Sequence, residues 1–98
     1  MAASPLAGRS NAAMAWTGKE MVVWGGVACK QVPCSGDAAV PLGDGAAYDP
    51  AADRWRPLAT SPLAARSGTA DGWTGREVLL WGGDDGTAGF TDGAAYDP

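Results

Sequence analysis

Histidine is absent from this 98-residue chain, which removes the one side chain whose ordinary pKa suits general-base work near neutral pH. No serine nucleophile motif replaces it. The aspartates show no spacing that would supply a catalytic acid with a partner, so the chain is read as non-enzymatic. No apolar run reaches about 18 residues, so no segment reads as a membrane-spanning helix. Basic clusters are lacking too. Seven Lys and Arg residues stand singly against eleven acidic ones, a net charge of −4, which argues against nucleic acid and anionic membrane surfaces as partners. Uninterrupted stretches free of Gly and Pro are scarce. Fifteen glycines and seven prolines leave no room for a long helix, and the short apolar runs between them predict an all-β single domain over residues 1–98. The opening Met1-Ala2-Ala3-Ser4-Pro5 lacks the charged and apolar regions of a secretory leader. The chain is therefore expected to be either cytoplasmic or without its natural beginning, and localisation stays open.

What the sequence does contain is repetition. Ser4-Pro5-Leu6-Ala7 and Trp16-Thr17-Gly18-Lys19-Glu20-Met21-Val22-Val23-Trp24-Gly25-Gly26 return as Ser61-Pro62-Leu63-Ala64 and Trp73-Thr74-Gly75-Arg76-Glu77-Val78-Leu79-Leu80-Trp81-Gly82-Gly83. Asp44-Gly45-Ala46-Ala47-Tyr48-Asp49-Pro50 returns unchanged from Asp92 to Pro98. A period near 50 residues marks a repeat architecture, with repeat one at about 4–57 and repeat two at about 61–98. Residues 11–16 and 20–24 flank the Thr17-Gly18 turn, and residues 68–73 and 77–81 flank Thr74-Gly75, so each repeat opens on a hairpin. A third strand is expected at 45–48, ending in Asp49-Pro50, and a fourth at Arg54-Trp55-Arg56. Met21-Val22-Val23-Trp24 and Val78-Leu79-Leu80-Trp81 do not alternate, which predicts strands covered on both faces.

Arg before the first strand, a double glycine after the second, Tyr-Asp in the third and Trp in the fourth resemble the kelch repeat, in the wording of bacterial kelch-type repeats. The order runs from Arg9 through Gly25-Gly26 and Tyr48-Asp49 to Trp55, and from Arg66 through Gly82-Gly83 to Tyr96-Asp97. The resemblance covers nearly the whole chain and implies β-propeller blades, each a four-stranded antiparallel meander, about two per chain. Two departures stand out: the histidine often found near the first strand is missing, and the second repeat reaches Pro98 without a fourth strand. Seven strands are expected where two full blades need eight. The histidines of copper-containing kelch-type oxidases are missing too, while Tyr48 and Tyr96 lie in a repeated structural element.

Two blades can cover only their facing surfaces. Val22, Trp24, Leu79 and Trp81 are expected to line the two outer faces and meet water, each forfeiting about 1.5–3 kcal/mol relative to burial. Oligomerisation is the expected remedy, with three chains closing a six-bladed ring as the favoured homo-oligomer.

Candidate site residues fall on loops. Nine extra residues separate the double glycine from the third strand in repeat one, since the first blocks repeat at an offset of 57 and the last at 48. They bring in Cys29 and Cys34, read as a candidate disulfide that would point to an exported parent, with free thiols or a metal or redox role as alternatives. Asp84 and Asp85, on the equivalent loop with Phe90, match no dedicated calcium loop and read as a solvated turn, so no metal or cofactor is expected. In propellers these loops and residues 58–66 share one rim, where a protein, peptide or glycan would bind. Arg9 and Arg66 are candidate anion-gripping residues there, or else struts that bind carbonyls of the neighbouring blade. The function so implied is a non-enzymatic, self-assembling binding module; the alternatives are a purely structural fragment and part of a larger secreted sugar-acting or oxidative enzyme.

Overall fold

The computed structural model describes residues 3–6, 8–29 and 39–98. Cys34 falls outside them, and with it the candidate disulfide to Cys29. The described residues contain only antiparallel strands and turns, with no helix. In chain order the strands are β1 (Ala13–Trp16), β2 (Met21–Trp24), β3 (Val27–Cys29), β4 (Ala39–Pro41), β5 (Gly45–Asp49), β6 (Arg54–Pro57), β7 (Ala70–Trp73), β8 (Val78–Trp81) and β9 (Gly93–Tyr96). Sheet one runs β1-β2-β5-β6, sheet two runs β7-β8-β9, and β3-β4 form a separate hairpin.

Local chemistry fixes the turns in both repeats. Thr17 Oγ1 accepts a hydrogen bond from the Glu20 amide and Thr74 Oγ1 from the Glu77 amide, both at 3.0 Å. The following glycines, Gly18 and Gly75, take φ of 93° and 96°, a region that disfavours any Cβ. Gly45 starts β5 for a packing reason. A Cβ there would strike the Val23 carbonyl and lie 3.0 Å from Trp24 Cδ1, so its absence makes room for the Trp24 indole. Gly93 does the same for Trp81.

Among the described residues nine strands stand where seven were expected, because β3 and β4, which flank the first-repeat insertion, pair with each other. Val27 pairs with Pro41 across β3-β4, and Ser10 bridges to Val27. The shorter second loop keeps the same contacts as single bridges, Ser67 to Asp84 and Asp84 to Gly89.

The core lies between the sheets. Sheet one contributes Ala13, Ala15, Val22, Trp24 and Ala47 from one face, and sheet two contributes Val78 and Leu80, with Trp73, Ala94 and Tyr96 packed alongside. Leu63, from the connection between repeats, inserts among them. Val22 and Trp24 are each 3% exposed, which overturns their expected place on an outer face. Their counterparts Leu79 and Trp81 are 45% and 57% exposed. The opposite side of sheet one meets water at Met14 and Trp16, whereas Ala46 and Tyr48 on the same side are buried. The expectation of strands covered twice also fails: β8 alternates buried and exposed, because among the described residues sheet two is packed on one face only.

Candidate functional site

Two features gather the singled-out residues: the seam between the sheets, and the end where the loops after β2, β4, β6 and β8 meet. The seam is polar at its edges. Arg66 donates its amide to the Leu42 carbonyl at 3.1 Å and accepts the Gly26 amide on its own carbonyl at 2.9 Å. Gly68 N–H reaches the Asn11 carbonyl, and the Met14 amide donates to Asp71 Oδ2 at 2.9 Å. On the outer side Arg56 Nη1 donates to the Tyr96 hydroxyl at 3.1 Å while its Nε and Nη2 hold both oxygens of Glu20 at 3.0 and 2.8 Å. The guanidinium beside Glu20 holds that carboxyl below the usual 4.5 against the opposing effect of burial, and Arg56 is correspondingly raised.

Arg66 is fully buried. Its Nη1 donates to Asp92 Oδ1 at 2.6 Å and to the Gly82 carbonyl, its Nε donates to the Ala64 carbonyl, and the Phe90 ring lies 4.0 Å from its guanidinium carbon. Arg66 Nη2 is buried without a hydrogen-bond partner. Arg9 repeats the arrangement, with Nη1 donating to Asp44 Oδ1 at 2.7 Å and to the carbonyls of Gly25 and Asp44. These hydrogen bonds to the guanidiniums hold Asp44 and Asp92 below the ordinary carboxylate value of 3.8. Each arginine side chain thus grips carbonyls of its own repeat. The expected strut to a neighbouring repeat runs instead through the Arg66 backbone.

Of the loop residues, Asp84 accepts the Gly86 amide on Oδ1, and Asp85 Oδ1 accepts the amides of Ala88 and Thr87. Those backbone donors lower the Asp85 carboxyl. Both carboxylates therefore shape a turn, and among the described residues no cluster of three or more His, Cys, Asp or Glu side chains is placed to hold a metal. Arg66 and Phe90 are brought together; Asp84 and Asp85 sit apart on the same loop, and Arg9 lies at the equivalent place in the other repeat. Between the sheets lies a cavity of about 190 Å³ lined by Val22, Trp24, Leu58, Val78, Leu80 and Tyr96, among others. Trp24 Nε1 is buried without a hydrogen-bond partner.

Sequence reasoning missed Asp44, Asp92, Asp71 and the Glu20–Arg56–Tyr96 group. The first two were signalled by the unchanged block that carries them. Asp71 was not, because its counterpart is Met14.

No family model matches the chain, and no curated protein matches it at a significant level.

Proposed function

We propose that this chain is a non-enzymatic kelch-type propeller module that associates with copies of itself into a closed ring and offers its loop-bearing end to a protein, peptide or glycan. One observation carries the assembly. The face of sheet one that is buried bears Val22, Trp24 and Ala47, and the equivalent face of sheet two, bearing Leu79 and Trp81, is exposed. The face of sheet two that is buried bears Val78, Leu80, Ala94 and Tyr96, while its equivalent on sheet one is exposed at Met14 and Trp16, half-buried at Met21 and Val23, and buried only at Ala46 and Tyr48. The seam therefore joins unlike faces, and one face of each kind is left over. A contact of that kind between chains is head-to-tail and closes into a ring when the rotation permits. The polar fittings repeat as well. Gly83 and Phe90 hold the positions of Gly26 and Leu42, which receive Arg66, and Arg9 holds the position of Arg66.

Three chains forming six blades is the reading favoured here. Sedimentation equilibrium is expected to give a trimer in the wild type and a monomer for Leu79→Asp. A folded wild-type monomer at micromolar concentration would overturn the assembly. Ligand binding at the loops is tested by a glycan array and by pull-down with the assembled protein, where reproducible capture lost on replacing residues 84–91 supports it. Silence in both favours the second reading, a scaffold with no ligand, which the inward use of the Arg9 and Arg66 side chains also supports.

A further inference from the structure

We draw no further inference here: the strongest candidate, the cavity of about 190 Å³ between the two sheets that Trp24 lines with its Nε1 buried and unpartnered, is walled in part by the exposed Ala95 and Asp97, and nothing in the structure shows what covers it on that side.

Discussion

Trp24 and Trp81 share a sequence context, a strand position and a supporting glycine, yet one is 3% and the other 57% exposed. The same inversion runs through Val22 and Leu79, and in the opposite sense through Trp16, half exposed, and Trp73, packed on the core. Nothing within the individual repeats accounts for it. What differs is which side has a neighbour: sheet one is covered on the Trp24 face and sheet two on the Trp73 face. The double glycines tell the same story at atomic scale. A Cβ on Gly25 would lie 2.7 Å from the Arg66 carbonyl of the next repeat, whereas one on Gly82 would approach nothing nearer than the Phe90 carbonyl at 3.6 Å. A repeated residue can thus be sterically required in one copy and idle in the other.

The sharpest way to break this comparison is at the glycines. Gly25→Ala is expected to destabilise by about 3 kcal/mol or more, since positive φ and a backbone clash combine; Gly82→Ala, strained only in φ, should lose about 1 kcal/mol. Urea midpoints of the two variants measure the difference, and equal losses would show that the seam does not constrain Gly25. Next in size is Val78→Ala, which opens space beside a residue 1% exposed and should lower stability by about 2 kcal/mol. Leu79→Ala next to it should leave monomer stability within about 0.5 kcal/mol while weakening self-association. Thermal unfolding and sedimentation of the same samples read both effects.

A smaller effect is expected at the seam hydrogen bond. Asp71→Ala removes the acceptor of the Met14 amide and should cost about 1 kcal/mol. Met14→Asp places a carboxylate at the equivalent position on the exposed face and should tighten association, visible as a lower dissociation constant in sedimentation.

The smallest effects are electrostatic and appear in acid. Glu20, Asp44 and Asp92 are all lowered by hydrogen bonds to Arg56, Arg9 and Arg66. A carboxyl lowered in the folded state contributes stability that is fully present above its unfolded value and is lost as pH falls through its folded one. Stability should therefore hold from neutral pH down to the ordinary values of 4.5 and 3.8 and decline below them. Glu20→Gln should make that decline shallower, whereas an unchanged acid slope would show that its pair with Arg56 contributes nothing to folding.

Much of the fold was legible before any coordinates. Turn chemistry placed the hairpins, since Thr-Gly and Asp-Pro leave few backbone choices, and the observed strands lie within a residue or two of those predicted. The β3-β4 pairing was not legible, because it joins residues on either side of an insertion and is continued by Ser10, which is distant in sequence. At the arginines the recurrence pointed to structure, but their partners Asp44 and Asp92 lay 35 and 26 residues away and only folding brought them together. Glu20 and Arg56 were hidden in the same way, 36 residues apart.

The sequence by itself determined an all-β chain, its repeat boundaries and the turns between strands, because glycine, proline and Thr-Gly act on φ and ψ within a few residues. The tertiary structure alone decided which of two equivalent tryptophans is buried and which carboxylates meet the arginines. Burial is a property of neighbours, and a repeated sequence cannot say on which side its neighbour lies.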